Sequence, residues 1–365
     1  MSRMAALLVC LSLLPPVAGC GDDDGAGGEG GEKVAVSIFP LYDIARRIAG
    51  DDLEVVLVLP PGRSEHSYDP SPREVAALGG TDLSVRVGLE MDDWLERIVH
   101  SASGDAEELL IGPMVDPRRM TGNEIGELDH DEEEEHEGEH HDDGDEDEHD
   151  DDGDEDEHHD DGDEDEHHDD GDEGEHHDAH HQPTEHGEHH HHHGAQDPHF
   201  WLDPVRMQQV ADHLAEAFAE LKPAAAERFR SRAEEVKTAL AALHQEIQTA
   251  ADGWEKKEIV TFHGSFGYFA ERYGLDIAAV VEPFPGREPT PRYMREVLTA
   301  LRATNAAALF SEPQLDPRPA QVIARESGKP LFELDPVGGT EGRESYEALM
   351  RSNLSVLNRA LGGAN

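Results

Sequence analysis

"KVAVSIFPLYDIARRIAGDDLEVVLVLP" (33–60) sets the architecture. Its two ends, "KVAVSIF" (33–39) and "EVVLVL" (54–59), are short apolar runs rich in β-branched residues. "LYDIARRIAG" (41–50) between them has helical spacing and ends on glycine. Strand, helix and strand in so short a span make a βαβ unit, whose two strands run parallel. The alternation continues with strands at "DLSVRVG" (82–88) and "LLIG" (109–112). Between these two pairs lies a helix in "SPREVAALGG" (71–80), opened by a capping box with Ser71 at N-cap, Pro72 at N1 and Glu74 at N3.

Order of the same kind returns after residue 196. One helix starts from Asp203 as N-cap and Pro204 as N1 and runs to about Leu221; a second begins at Pro223 and ends near Gly253. The second is rich in Ala, Glu and Leu and extends about 45 Å at 1.5 Å per residue. A further series of strands follows, at "EIVTF" (258–262), "IAAVVE" (277–282), "AALFSE" (307–312) and "PLFELD" (330–335), with helices opened by Thr290-Pro291 and Asp316-Pro317. The expected fold class is α/β: two lobes with mostly parallel sheets, 33–222 and 254–365, joined by one long, rigid helix, 223–253.

The chain of 365 residues carries a formal charge of −54, and most of that is local. Residues 127–193 hold 36 of the 83 Asp and Glu, 19 of the 25 His and no Lys or Arg. The remainder is a moderately acidic globular protein, whose sign of charge disfavours nucleic acid and anionic lipid and attracts cations. Residues 122–196 have almost no large apolar side chain and are expected to be disordered. Within them "DDGDEDEHH" recurs every nine residues, marked by Gly144, Gly153, Gly162 and Gly171. A calcium-binding β-roll shares that period but needs a repeated apolar position, which this repeat lacks.

The N-terminus reads as a targeting signal: Arg3 is followed by the apolar "MAALLVCLSLLPPV", too short to span a bilayer, and then by "VAGC". Small residues before Cys20 resemble a bacterial lipobox, so 1–19 is expected to be removed and Cys20 lipidated, with plain secretory cleavage as the alternative. Cys10 would leave with the signal, and no disulfide could form. "GDDDGAGGEGGE" (21–32) suits a flexible tether.

Ligands of open α/β lobes sit beyond the carboxyl ends of the strands. His66 lies in the loop after "EVVLVL", His199 just before a helix N-terminus, His263 directly after "EIVTF", and Asp335 at the end of "PLFEL". Three imidazoles and one carboxylate make a four-coordinate set of the kind zinc takes. Asp335 before Pro336 could equally be a turn cap, and Glu282 and Glu312, which also end strands, compete with it; they are favoured as acceptors for the imidazole N–H groups. His100, His213 and His244 lie in helical patterns and read as solvated face residues.

These residues sit in motifs that resemble the metal-binding receptors of ABC transporters, the ZnuA-like and TroA-like proteins of zinc and manganese uptake. The motifs are "PGRSEHSYDPSP" (61–72), "DPHFWLDP" (197–204), "TFHGSFGYFAERYGL" (261–275), "EPFPGREPTP" (282–291), "SEPQLDP" (311–317) and "LDPVGG" (334–339). The resemblance spans nearly all of 33–361. It implies a metal held between two lobes by His66, His199, His263 and Asp335, with Glu65 matching a carboxylate that assists in some members. An acidic, His-rich insertion before the "DPH" motif accompanies zinc importers. His263, where manganese receptors carry a carboxylate, also shifts preference from Mn2+ toward Zn2+. Some zinc receptors have a disulfide in the second lobe; here no cysteine is available.

The resulting expectation is a monomeric, lipid-anchored, extracytoplasmic receptor that captures zinc and presents it to an ABC permease, touching the membrane only through its lipid. No catalysis is expected, because four protein ligands leave no open position. The His-rich tract would concentrate or sense zinc, or serve only as a solvated spacer. Zinc retention should weaken below about pH 6.5, the ordinary imidazole pKa. Two other classes compete: a secreted zinc hydrolase with three His ligands and Glu65 as base, which requires Asp335 away from the metal, and a surface metal buffer or adhesin that works through the tract.

Overall fold

The computed structural model describes residues 32–104, 106–127 and 196–362. The signal, Cys20 and the tether up to residue 31 lie outside the described residues, as does the tract from 128 to 195. The first half forms β1 (Lys33–Val36), α1 (Phe39–Ala49), β2 (Glu54–Leu57), α2 (Pro72–Ala76), β3 (Leu83–Arg86), α3 (Asp93–Ser103) and β4 (Glu107–Leu110). Its sheet has the order β2-β1-β3-β4, with every pair parallel. The second half repeats that design with β5 (Glu258–Thr261), α6 (Gly267–Tyr273), β6 (Asp276–Val280), α7 (Pro291–Ala303), β7 (Leu309–Ser311), α8 (Arg318–Ser327), β8 (Leu331–Glu333) and α9 (Tyr346–Leu361). Its order, β6-β5-β7-β8, is again parallel throughout. Between them stand α4 (Pro204–Leu221) and α5 (Ala226–Asp252).

The expected elements form, most with boundaries moved by one or two residues; β1 ends three residues earlier than expected, because Phe39 already opens α1. β4 starts two residues before "LLIG" because it is an edge strand: exposed Glu107 and Glu108 belong to it, and Glu108 accepts from Arg86 on the neighbouring strand at 2.7 Å. The long helix opens with a separate 3-10 turn at Pro223–Ala225, and α5 then runs 27 residues, about 40 Å. Ser71 caps α2 as expected, with its side chain and that of Glu74 satisfying each other's backbone N–H groups. Both flanks of the acidic insertion, 122–127 and residue 196, are ordered, in contrast to the disorder expected across 122–196. Residues 122–124 form a 3-10 turn, Glu124 is buried, and Arg119 bridges Gln196, so the flanks are anchored by Arg118 and by backbone pairing.

Phe229, Ala233, Val236, Leu240, Leu243, Ile247 and Ala251 form the buried stripe of α5, at steps of three or four residues. That stripe packs on α1, α4, α6 and α9, so the connecting helix is part of a core shared by both halves. The C-terminal helix also crosses back: the backbone N–H of Tyr346 donates to buried Asp43 of α1, and Arg47 pairs with Glu347 at 2.9 Å. Among the described residues no helix is long and apolar enough to cross a membrane.

Candidate metal site

The carboxyl ends of the strands carry the chemistry. His66 sits in the loop after β2, which is pinned where Trp94 Nε1 donates to the Glu65 carbonyl at 3.0 Å. His199 follows an Asx turn: Asp197 Oδ1 accepts the His199 backbone N–H at 2.9 Å. The 3-10 turn after it buries Phe200, Trp201 and Leu202 completely, and Trp201 Nε1 donates to the Pro336 carbonyl of the second half at 2.7 Å. His263 lies two residues beyond the end of β5, the strand between β6 and β7, and Thr261 Oγ1 donates to its carbonyl.

These three loops bring the imidazoles together. The Nε2 atoms of His199 and His66 are 3.4 Å apart, and those of His263 and His199 3.2 Å. Zinc–nitrogen bonds of about 2.0–2.1 Å in a tetrahedron place neighbouring ligand atoms about 3.3–3.4 Å apart, which is the spacing found. The other ring nitrogens explain how the lone pairs face inward. His199 Nδ1 lies 2.8 Å from Asp197 Oδ1, and His263 Nδ1 lies 2.8 Å from Glu312 Oε2. A carboxylate only accepts, so each Nδ1 bears the proton and each Nε2 a lone pair. Two such lone pairs at 3.2 Å repel unless a cation or a proton lies among them.

Glu65 completes the group. One of its oxygens and one nitrogen of each of the three imidazoles lie within 4.8 Å of one another. Its Oε1 is buried without a hydrogen-bond partner, 3.8 Å from His66 Nε2. A buried acceptor without a donor is costly, and a coordinated cation is what would relieve it. Burial pushes the Glu65 carboxyl up to about 7, with His263 opposing the shift. Burial alone would lower the His263 imidazole, but Glu312, then Glu65 and Asp197, outweigh it and hold the ring above its ordinary value.

Asp335, expected as the fourth ligand, is fully buried at the end of β8 but is not in this group. Its Oδ1 accepts from Gln314 Nε2 and from the N–H groups of Val337 and Gly338, and its Oδ2 pairs with Arg343 at 2.8 Å. Glu312 lies against the Nδ1 of a ligand imidazole, at 2.8 Å, as the sequence suggested; Glu282 instead accepts the Gly286 N–H at 2.5 Å. Asp197 was missed, although its place two residues before a ligand histidine is an Asx-turn signal. His100 is exposed as expected, whereas His213 and His244 are half-buried, and His244 Nδ1 lies 3.2 Å from the Tyr273 hydroxyl. A cavity of about 320 Å³ beside Glu282, Asp316 and Arg318 includes none of the four clustered residues.

Two parallel sheets of the same strand order, with three convergent imidazoles and a buried carboxylate fed by their connecting loops, define a two-lobed α/β metal receptor. The chain belongs to the family described as zinc-uptake complex component A, periplasmic, whose model matches residues 34–360. It is 27% identical over 306 residues to the high-affinity zinc uptake system protein ZnuA of Yersinia pestis, covering 84% of this chain and 83% of that protein. It is 25% identical over 362 residues to the zinc-binding lipoprotein AdcA of Streptococcus pneumoniae, covering 98% of this chain and 60% of the relative. The chain thus spans less than two-thirds of the streptococcal protein. A crystal structure of ZnuA has the same fold, with a TM-score of 0.66 at 19% identity, covering 91% of this chain and 99% of that one.

Proposed function

We propose that this chain is the extracytoplasmic receptor of a zinc uptake system, which captures Zn2+ on His66, His199, His263 and a carboxylate and delivers it to an ABC permease. The observation that carries the reading is the convergence of three imidazoles, with His199 Nε2 at tetrahedral spacing from the Nε2 atoms of both His66 and His263, beside a buried carboxylate oxygen that has no hydrogen-bond partner. Three nitrogen donors and one oxygen suit zinc better than manganese, which prefers oxygen. Four protein ligands leave no position for an activated water, and Glu65, close enough to be a ligand, is poorly placed to be a base acting through one. The zinc-uptake family supports the same reading against a hydrolase. An N-terminal signal with Cys20 lipidated, a monomeric receptor and a periplasmic or surface location extend it; the relative named a lipoprotein supports the anchor.

Glu65 is assigned as the fourth ligand, and Asp335 as the group that shapes the loop behind the site. Coordination by Asp335 would require it to surrender the Arg343 pair or backbone donors, whereas Glu65 Oε1 surrenders nothing. Glu65→Gln should therefore weaken zinc binding by roughly tenfold or more, and Asp335→Asn should weaken it less. Chelator competition on both variants decides, and a larger loss in Asp335→Asn would return the fourth position to Asp335.

Competitive titration with zinc and manganese, on the full chain and on one lacking 128–195, tests the function. One tight zinc per chain that survives removal of the tract supports the receptor. Loss of nearly all binding with the tract would make the protein a surface buffer.

A further inference from the structure

We propose that Arg118 is a positioning residue for the metal site: it holds Asp197 so that the His199 ring presents Nε2 inward, and Gly267 is glycine in order to admit it. The proposal rests on the reading of His199 as a zinc ligand.

Arg118 reaches three carboxylates from three parts of the chain. Its Nη1 donates to Asp197 Oδ2 at 2.6 Å, its two Nη atoms fork onto Glu124 at 3.0 Å each, and its Nε donates to Glu271 of α6 at 3.1 Å. The backbone is tied as well. Asp197 N–H donates to the Arg118 carbonyl, and the Tyr268 hydroxyl accepts from Arg118 N–H and donates to the Asp197 carbonyl. Arg118 is the cation that directly contacts the fully buried Asp197 carboxylate through its Oδ2, while Oδ1 of the same group takes both N–H groups of His199. Without the guanidinium, that carboxylate loses its countercharge and the reason to keep Oδ1 aimed at the ring. The imidazole is then free to turn or to change tautomer, and either removes a lone pair from the metal.

Gly267 gives independent support. Its φ of −58° and ψ of −48° are ordinary helix, open to any residue, and alanine favours a helix more than glycine does. A Cβ there would nevertheless overlap Arg118 Nη1 and lie 2.5 Å from Glu124 Oε1 and 2.7 Å from Asp197 Oδ2. The three heavy atoms nearest to that Cβ thus all belong to this network. Segment 118–126 docks on the second half in the same manner at Gly264, where a Cβ would meet Met120 and the Glu124 carbonyl.

The test uses the full chain, a zinc-competing chelator, and substoichiometric Co2+ as a visible probe of coordination geometry. Arg118→Met should lower zinc affinity by about 10–100-fold and weaken the tetrahedral cobalt band, and Arg118→Lys should recover part of both. Gly267→Ala, which removes no charge, should reproduce the losses by displacing the guanidinium. Parental affinity and cobalt spectrum in folded Arg118→Met overturn the proposal. If that variant does not fold, parental values in Gly267→Ala overturn it instead. A lowered melting temperature with an unchanged cobalt band also overturns it, since that marks a purely structural role. Failure of the parent chain itself to bind zinc tightly would instead refute the reading of the site.

Discussion

His263→Ala is expected to weaken zinc binding by roughly two to three orders of magnitude, with His199→Ala close to it and His66→Ala the mildest of the three. Four-ligand zinc sites release about 10–16 kcal/mol near neutral pH, so one ligand's share is about 2.5–4 kcal/mol, and each 1.4 kcal/mol is tenfold. His199 and His263 are nearly fully buried, at 2% and 3% exposure, so water enters poorly to replace them. Removing His199 also strips buried Asp197 of the ring N–H that its Oδ1 accepts, and removing His263 strips buried Glu312 of the imidazole 2.8 Å away, which destabilises the loops presenting the remaining ligands. His66 is the more open of the three, and a water can substitute there. The measurement is competition with a chromophoric chelator strong enough to keep metal off the His-rich tract. Parental affinity in His263→Ala would end the assignment of this cluster as the zinc site.

The architecture was legible because parallel strands and amphipathic helices have different periods, and both are written plainly in 33–112 and 258–361. The convergence of the three imidazoles was legible for a simpler reason: each sits at a strand end or helix start, where an α/β lobe puts its ligands. The carboxylate was not. Asp335, Glu282, Glu312 and Glu65 all occupy strand-end loops, and sequence cannot say which of them already has donors. Backbone N–H groups of Val337 and Gly338 and the side chain of Arg343 take up Asp335, and a turn at Gly286 takes up Glu282. Glu65 is left without a partner on its buried Oε1. Arg118 was invisible because its three partners are scattered from 124 to 271, and only the fold brings them to one guanidinium. The order of the flank at 122–127 is hidden in the sequence for the same reason: Glu124 is held by Arg118, Asn123 donates to the Ile277 carbonyl, and Gly126 lies against the side chain of Pro283, all partners distant in sequence or outside the acidic tract.

Zinc affinity should fall by roughly two to four orders of magnitude between pH 7.5 and pH 5. Zinc takes neutral imidazole and ionised carboxylate, so the loaded site holds fewer protons than the metal-free one, and acid must oppose binding. An imidazole of ordinary pKa, about 6.5, contributes about 1.5 orders by pH 5. Three independent rings would exceed four orders, but charged rings a few ångströms apart repel and do not all protonate together. The onset is set by the perturbed groups. Burial lifts Glu65 to about 7, the carboxylates around His263 outweigh burial and raise that ring, and burial lifts Asp197 to about 6. Protons therefore compete already at neutral pH, earlier than the pH 6.5 suggested by unperturbed histidine. A plot of log affinity against pH should rise with a slope near one at pH 7 and steepen toward pH 5.5. Glu65→Gln should flatten the neutral end and leave the acidic limb, because it removes the group that titrates there and keeps the three rings. A slope of zero from pH 5 to 7.5 would mean that the bound metal displaces no protons, which no set of histidine ligands allows.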